Sequence, residues 1–290
     1  MTASAATTHS TTTTRPPLGR HGVWRPGRTT TPEIAAGVER LGFGALWLGG
    51  ATADLELPEQ LLDATDRLTV ATGIVNIWSS TPDELAASFH RIDRRHPGRL
   101  LLGIGAGHPE SAARYRSPYT ALVETLDALE SLGVPLQRVV LAALGPRVLR
   151  LAAERTAGAH PYLTTPDHTR SARETMGPSA LLAPEQKVMR STDAAAARHV
   201  GHRVVGPYLE LTNYRANLLR MGFAEASLAD GGTDDLIDAL VAHGDAAALV
   251  ARLDAHLEAG ADHVAIQVLP GRDDPLPTLA AIAAALAARP

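Results

Sequence analysis

Residues 138–156 read RVVLAALGPRVLRLAAERT and contain two successive patterns. The first half is a short run of Val and Leu that is apolar on both faces, which is typical of a parallel strand covered by helices. The second half begins at Gly145-Pro146 and continues with Arg, Leu and Ala at helical spacing. A buried strand that leads through a glycine turn into a helix predicts a β/α unit.

The same unit recurs along the chain, with Ser or Thr followed by Pro at the predicted helix starts. The hydroxyl caps a free backbone amide, and Pro fills the first helical position, where its missing N–H costs nothing. At Thr81 a Glu three residues later completes a capping box. These starts are Thr31-Pro32, Thr81-Pro82, Ser117-Pro118 and Thr165-Pro166.

Eight strand patterns alternate with helix patterns along the chain. This alternation favours an α/β fold of the closed (β/α)8 type, a TIM barrel of residues 19–290, with a doubly wound open sheet as the alternative. Residues 193–257 are nearly all helical in pattern, which predicts a helical insertion before the eighth strand. The predicted strands span residues 21–24, 45–48, 68–78, 99–105, 138–144, 159–163, 180–189 and 263–269.

Residues 1–18 are rich in Thr, Ser and Ala and carry almost no apolar side chain. A segment of this composition cannot bury enough apolar surface to offset the entropy of ordering, so we expect a disordered arm before the barrel.

The composition excludes several classes of function. The 27 basic and 31 acidic residues leave a net charge of -4, so no basic excess indicates a nucleic-acid partner. The absence of cysteine excludes disulfides and thiolate chemistry, and Lys187, the only lysine, does not follow the glycine frame of a P-loop. No apolar run of 18 residues occurs, so we expect no membrane span and a cytoplasmic protein.

In such a barrel, chemistry occurs at the carboxyl ends of the strands. The fourth predicted strand ends in Gly105-Ala106-Gly107, where backbone can approach a ligand closely. After the fifth, Gly145-Pro146-Arg147 opens a helix whose free amides, positive dipole end and Arg147 side chain would hold a phosphate. An ordinary tight turn remains the alternative at both places.

The third predicted strand is long and interrupted by Gly73, which predicts a bulge that aims Asn76 into the barrel mouth. Trp24, Trp78 and His160 also lie at strand ends, where they would line either a substrate pocket or the core. The histidines form no His-Glu-x-x-His motif, so we expect no metal site.

Together these segments resemble the luciferase-like monooxygenase superfamily, in particular its actinobacterial branch of oxidoreductases that use the deazaflavin coenzyme F420. The resemblance covers nearly all of residues 18–269. Its most specific pieces are residues 18–24, 71–78, 141–147, 158–163 and 259–264.

The resemblance implies that the barrel mouth holds the deazaflavin, with its ring against a bulged third strand that often carries a non-proline cis peptide, here at Val75-Asn76. It also implies that the phosphodiester tail runs past the fourth-strand glycines to the amides after Gly145. The expected cofactor-binding residues are Val75, Asn76, Gly105, Ala106, Gly107, Gly145, Pro146, Arg147 and Tyr162; the expected substrate-pocket residues are Trp24, Trp78 and His160.

One departure concerns proton transfer. Relatives carry an acidic residue and a histidine at the end of the second strand, where this chain has Gly49-Gly50. Some relatives have a glutamate after the fourth-strand Gly-x-Gly, where this chain has His108. We therefore expect His108 to be the catalytic general acid or base.

The resulting prediction is hydride transfer between coenzyme F420 and an unidentified small organic substrate, with a homodimer as a candidate assembly. One alternative is an FMN-dependent two-component monooxygenase of the same superfamily. Another, suggested by Gly49-Gly50, is a catalytically degenerate barrel that binds a flavin or metabolite without turnover.

Overall fold

The computed structural model describes residues 14–107 and 117–289, and its centre is a barrel of parallel strands. The strands are β1 (His21–Pro26), β2 (Ala45–Gly49), β3 (Thr69–Thr72), β4 (Val75–Asn76), β5 (Leu100–Gly105), β6 (Val139–Leu141), β7 (Gly158–Ala159), β8 (Leu181–Leu182), β9 (Glu185–Met189), β10 (Val241–His243) and β11 (Val264–Val268).

The barrel closes through one long strand that is divided into β8 and β9. β8 pairs with β7, β9 pairs with β11, and β11 pairs with β1. Across the division, the Ala183 N–H donates to the Ala159 carbonyl at 3.0 Å and the Glu185 N–H to the Pro161 carbonyl at 2.9 Å. With β3–β4 and β8–β9 each counted as one strand, the eight predicted strands form a closed ring. The predicted (β/α)8 barrel is confirmed, and the open sheet is excluded.

β3 and β4 both pair with β5, and a bulge separates them. β3 pairs through Ala71 with Leu101, whereas β4 pairs through Val75 with Ile104. The third barrel strand therefore advances four residues (75 − 71) where β5 advances three (104 − 101). One extra residue in one strand defines a β-bulge, so the predicted bulge is confirmed.

The bulge is held by Thr72 and Gly103. Thr72 Oγ1 donates to the Gly103 carbonyl at 2.8 Å and accepts from the Gly103 N–H at 2.7 Å. A Cβ on residue 103 would lie 1.9 Å from the Thr72 carbonyl oxygen, so only glycine fits there.

Helices surround the barrel, and all four predicted Ser/Thr-Pro starts begin a helix, but the Ser117 side chain makes no capping hydrogen bond. Thr31, Thr81 and Thr165 each accept a hydrogen bond from the backbone N–H three residues later, and Thr81 forms the predicted capping box. The helices are α1 (Pro32–Arg40), α2 (Glu56–Asp63), α3 (Pro82–Arg95), α4 (Pro118–Ser131), α5 (Pro146–Arg155), α6 (Pro166–Met176), α7 (Ala194–Leu209), α8 (Thr212–Arg220), α9 (Asp234–Leu240), α10 (Ala246–Glu258) and α11 (Leu276–Ala287), with 3-10 helices at Gly27–Thr29, Leu136–Arg138 and Glu225–Gly231.

The segment predicted as an insertion before the last barrel strand, residues 193–257, contains α7, α8, the third 3-10 helix, α9, β10 and nearly all of α10, which packs in the barrel core. It is helical as expected except for β10, which follows α9 and pairs with β9. Apolar side chains of the insertion, among them Leu209, Leu218 and Leu236, form one cluster with Leu163 and Leu269, which follow barrel strands. The insertion thus packs over the carboxyl end of the barrel.

Buried aromatic side chains fill the barrel interior. Trp47 on β2 stacks on His160, which follows β7 on the opposite side, with ring centroids 4.1 Å apart. Trp47 Nε1 also donates to His263 Nε2 at 3.0 Å. These contacts join three sides of the barrel beneath its mouth.

The amino-terminal segment joins the barrel earlier than predicted. Residues 1–13, most of the expected arm, lie outside the described residues. Pro16 and Leu18 are buried, and Thr69 Oγ1 donates to the Pro17 carbonyl at 2.9 Å. Residues 16–18 therefore belong to the folded part, and the boundary expected after residue 18 is too late.

Candidate active site

A cavity of about 990 Å³ opens at the carboxyl ends of the barrel strands. Residues that end or follow the barrel strands form its floor and rim, and α7 and α8 of the insertion form one wall. This is the end of a (β/α)8 barrel at which chemistry is expected.

One wall of the cavity is aromatic. Trp24 and Tyr162 have ring centroids 5.0 Å apart, and Tyr208 and Tyr214 have centroids 5.2 Å apart. The Tyr162 hydroxyl donates to Gln267 Oε1 at 3.0 Å and lies 3.3 Å from the Tyr208 hydroxyl. Burial raises the pKa of Tyr162 and of Tyr214, so both phenols stay protonated at neutral pH. The wall therefore offers flat apolar faces with neutral hydroxyl groups.

A buried ion pair supports this wall from behind. Lys187 Nζ lies 2.9 Å from Glu185 Oε2 and 3.8 Å from the centre of the Tyr162 ring. Burial lowers the pKa of Lys187 and raises that of Glu185, and the ion pair opposes both shifts. Lys187 is not among the cavity-lining residues, so its ammonium group acts on the site through Tyr162.

The bulged strand and β5 form the opposite rim. Asn76 lines the cavity, and its Oδ1 accepts from the Trp78 N–H at 2.9 Å. Trp78 Nε1 donates to the Ala106 carbonyl at 2.6 Å. Gly107 has φ +59, and a Cβ there would lie 2.6 Å from Asn76 Nδ2. These bonds hold Asn76, Ala106 and Gly107 in one rigid edge.

The amino end of α5 opens into the cavity. Its N-cap residue is Gly145, which lines the cavity and supplies no capping side chain. A Cβ on residue 145 would meet only Arg220 Nη2, at 3.8 Å. A helix amino end beside a guanidinium group is an arrangement that binds anions.

Arginines are the only ionised side chains among the described residues that line the cavity. Arg28 follows β1, Arg203 lies on α7, Arg220 ends α8 and Arg272 follows β11, and no described Asp or Glu lines the same space. The positive charge favours a ligand with more than one anionic group.

The floor is formed by Trp24, Gly49, Gly73 and His160. A Cβ on residue 49 would lie 2.3 Å from Trp24 Cζ2, so the indole ring occupies the space where a side chain at the end of β2 would point. His160 lies below, with its Nδ1 2.7 Å from the Ala183 carbonyl oxygen, and burial lowers its pKa to about 4. Gly49 thus accommodates Trp24, whereas Gly50 is open and has φ +75, a conformation that favours glycine.

Not every expected site residue reaches the cavity. The expected residues that line it are Asn76, Ala106, Gly107, Gly145, Tyr162, Trp24 and His160; those that do not are Val75, Gly105, Pro146, Arg147 and Trp78. His108 lies outside the described residues.

Three of the expected residues lie away from the cavity for simple physical reasons. Val75 precedes Asn76 on the same strand, so it points to the opposite face and packs in the core. Arg147 is exposed and stacks on Tyr119, with its Cζ 3.8 Å from the ring centre, so Arg220 is the guanidinium group beside Gly145. Gly105 packs against Ile74 and Ala142.

Two further expectations also change. Pro146 is exposed. Trp78 lies outside the cavity, and its indole N–H donates to the Ala106 carbonyl at the rim. The only cis peptide within the described ranges joins Leu269 and Pro270, so the expected cis peptide at Val75-Asn76 is wrong.

Several lining residues had no local signal in the sequence. Arg203, Tyr208, Tyr214 and Arg220 belong to the insertion, where their spacing resembles that of any exposed helix. Gln267 lies inside an apolar strand pattern. A single polar residue within an apolar strand pattern was the one available indication of a binding site.

Residues 14–107 and 117–289 contain neither a metal-binding cluster nor a membrane-spanning helix. No group of three or more His, Asp or Glu side chains there could hold a metal ion. Within the same ranges, no helix is long and apolar enough to cross a bilayer.

Known structures share this fold. An F420-dependent secondary alcohol dehydrogenase in complex with an F420-acetone adduct has a TM-score of 0.70 at 15% identity, covering 92% of this chain and 99% of that chain. The coenzyme F420 dependent tetrahydromethanopterin reductase from Methanopyrus kandleri has a TM-score of 0.66 at 16% identity, covering 92% and 98%.

An FMN-bound structure is equally similar. The oxygenating constituent of 3,6-diketocamphane monooxygenase from Pseudomonas putida, in complex with FMN, has a TM-score of 0.68 at 14% identity, covering 91% of this chain and 96% of that chain. At these identities the likeness shows the fold alone. No curated protein matches the chain in sequence.

The family described as luciferase-like monooxygenase matches residues 4–263. This match covers more than half of the chain and agrees with the barrel and its cavity. The chain therefore belongs to the luciferase-like monooxygenase family.

Proposed function

We propose that this protein is an oxidoreductase that transfers a hydride between coenzyme F420 and a small organic substrate. Membership of a family of oxidoreductases and monooxygenases supports redox chemistry, and two of the similar structures are F420-dependent enzymes. The cavity at the carboxyl end of the barrel is the site we assign to both ligands.

The observation that carries the proposal is the anion site at the amino end of α5. Gly145 leaves the first amides of the helix without a capping side chain, and Arg220 Nη2 lies 3.8 Å from the Cβ position of Gly145. Amides, helix dipole and guanidinium group act together on a bound phosphate.

The remaining charge favours F420 over FMN. FMN ends in a single phosphate, whereas the F420 tail continues beyond its phosphodiester with several carboxylates. Arg28, Arg203 and Arg272 line the cavity in addition to Arg220, with no carboxylate among the described lining residues. The single phosphate of FMN would leave most of the arginines without an anionic partner, whereas the longer polyanionic tail of F420 could pair with several of them.

Two features of the rest of the cavity support a deazaflavin ligand. Gly73 and Gly107 present backbone without a side chain, and the Trp24–Tyr162 wall offers flat apolar faces to a ring system. Asn76, Ala106 and Gly107 are the residues we assign to the ring, and Gly145 and Arg220 to the tail.

Bound F420 would supply a carbon that donates or accepts a hydride. The chain itself orients the two ligands through the rigid edge around Asn76, and its aromatic wall keeps water from the reacting groups. His108 is the residue we propose for proton transfer, because it follows the fourth-strand Gly-x-Gly, where the resemblance places a glutamate in some relatives.

Titration of the purified protein with F420 and with FMN tests the proposal. We expect F420 to bind at least tenfold more tightly than FMN, as followed by coenzyme fluorescence. Arg220→Ala should weaken F420 binding about tenfold or more, because a charge-assisted hydrogen bond is lost. Arg150→Ala is the matched control, since Arg150 is exposed on α5 and does not line the cavity.

Other outcomes of the coenzyme titration would indicate other functions. Tight binding of FMN alone, with oxygen consumption by the reduced coenzyme, would indicate a two-component monooxygenase. Binding without turnover of any substrate with either reduced or oxidised coenzyme would indicate a degenerate barrel. Failure to bind either coenzyme would overturn the proposal.

A further inference from the structure

Two nitrogen atoms in the floor of the cavity are buried without a hydrogen-bond partner. They are Trp24 Nε1 and His160 Nε2. Trp24 is 7% exposed and His160 is 1% exposed, and both residues line the cavity. A buried polar atom without a partner costs free energy, so such atoms often mark a place where a ligand binds.

The hydrogen-bonding character of both atoms is defined. The indole Nε1–H can only donate. His160 Nδ1 lies 2.7 Å from the Ala183 carbonyl oxygen, which can only accept, so Nδ1 carries the proton and Nε2 presents a lone pair. Burial lowers the pKa of His160 to about 4, so the imidazole is neutral at neutral pH. One donor and one acceptor therefore lie in the same floor.

Both atoms lie close to the missing side chain of Gly73. A Cβ on residue 73 would lie 2.9 Å from Trp24 Nε1 and 3.3 Å from His160 Nε2. Gly73 is partly exposed and lines the cavity. Both nitrogens therefore border the space over Gly73 into which a small ligand group can enter from the cavity.

The pair selects among functional groups. A carbonyl oxygen accepts from Trp24 and leaves His160 Nε2 unsatisfied. A carboxylate sets its charge against the imidazole lone pair, and an ammonium group sets its protons against the indole N–H. A hydroxyl group satisfies both, because its oxygen accepts and its proton donates.

We propose that Trp24 Nε1 and His160 Nε2 together bind a hydroxyl group of the substrate, so that the substrate class is a neutral alcohol. This inference rests on the proposed function for the role of the cavity, but the binding event needs no coenzyme. In this arrangement His160 Nε2 accepts a hydrogen bond from the hydroxyl group of the alcohol.

The test compares cyclohexanol with cyclohexanone on the coenzyme-free protein, with Kd measured by NMR titration of the ligand signals. The two rings are nearly equal in size, but the ketone has no proton to donate. We expect cyclohexanol to bind about tenfold more tightly, which corresponds to one additional hydrogen bond. Equal affinities for the two ligands would overturn the proposal.

Two variants separate the two bonds. His160→Asn keeps an N–H donor for the Ala183 carbonyl and removes the acceptor at the Nε2 position. It should therefore weaken the binding of cyclohexanol about tenfold and leave the binding of cyclohexanone nearly unchanged. Trp24→Phe removes the indole N–H donor and should weaken the binding of both ligands. His90→Asn is the matched control, because the His90 ring contacts the Leu132 carbonyl and lies outside the cavity. Equal weakening of both ligands by His160→Asn would show a purely structural role and overturn the proposal.

The wild-type protein provides a measurement that does not depend on the folding of a variant. In protein labelled with ¹⁵N-histidine, cyclohexanol should shift one unprotonated ring nitrogen, and cyclohexanone should not. An unchanged spectrum with cyclohexanol would contradict the inference. Because no coenzyme is present, failure here leaves the coenzyme titration unaffected, and failure of that titration leaves this result standing.

Discussion

Gly145 caps α5 less well than other residues would, but it leaves the amino end of the helix open to a ligand. Asp and Asn are better N-cap residues than Gly, and residue 145 has φ -91, which any of the three adopts. Its Cβ position is open except for Arg220. The helix amides are therefore left uncapped at the point where the proposed coenzyme tail would bind them.

Gly145→Asp should weaken F420 binding by tenfold or more without lowering the melting temperature. Its carboxylate caps the amides, pairs with Arg220 and repels the phosphate. Gly145→Asn has nearly the same shape but no charge, and we expect a smaller loss. Fluorescence titration and thermal unfolding of both variants measure the two effects. Unchanged affinity in Gly145→Asp would remove the phosphate from this helix.

His108→Ala should lower the single-turnover rate of hydride transfer by about 10²-fold or more and leave coenzyme affinity nearly intact. The reason is the loss of the general acid or base that we propose at this position. Loss of coenzyme binding at an unchanged rate would instead make His108 a coenzyme ligand. If both stay unchanged, proton transfer passes to another residue, and His160 is the next to test.

At the scale of the element, the segment before β1 is part of the barrel base. Leu18 is 6% exposed and the Pro17 carbonyl accepts from Thr69. Removal of residues 1–13 should leave the melting temperature unchanged, whereas removal of residues 1–18 should lower it by about 5 °C, because burial of one Leu contributes about 2 kcal/mol. Calorimetry of both truncations measures the difference, and equal melting temperatures would contradict the packing of this segment.

At the scale of the whole molecule, stability should depend on pH through buried histidines. Burial lowers the pKa of His160 to about 4 and of His256 and His263 to about 3. The unfolded chain binds these protons below about pH 6.5, whereas the folded protein does not until these lower values. The free energy of unfolding should therefore fall as the pH falls from about 6.5 to about 4, by up to about 1.4 kcal/mol per pH unit for each histidine.

Urea unfolding at several pH values between 7 and 5 measures this dependence. The stability that these histidines contribute is fully present above about pH 6.5, so little change is expected from them between pH 7 and 8. A free energy of unfolding that stays constant from pH 7 to pH 5 would contradict the neutral state of the buried imidazoles.

Much of the fold could be predicted because its signals are local. The strand patterns, the Thr-Pro helix starts and the Gly73 bulge each depend on neighbours within a few residues, and all appear in the structure. The site was predicted less completely. Arg147 was expected to hold the phosphate because it follows Gly145, but its side chain stacks on Tyr119.

The sequence alone determined the barrel, its bulge and the glycine positions at its mouth, because hydrophobic periodicity and turn chemistry act over short distances along the chain. Only the tertiary structure decided which charges and polar atoms meet there. Arg220 reaches Gly145 across 75 residues (220 − 145), and Trp24 packs against Gly49 and Gly73, which follow or end other strands. Such contacts depend on how the strands close and how the insertion packs on them, and no spacing along the chain records them.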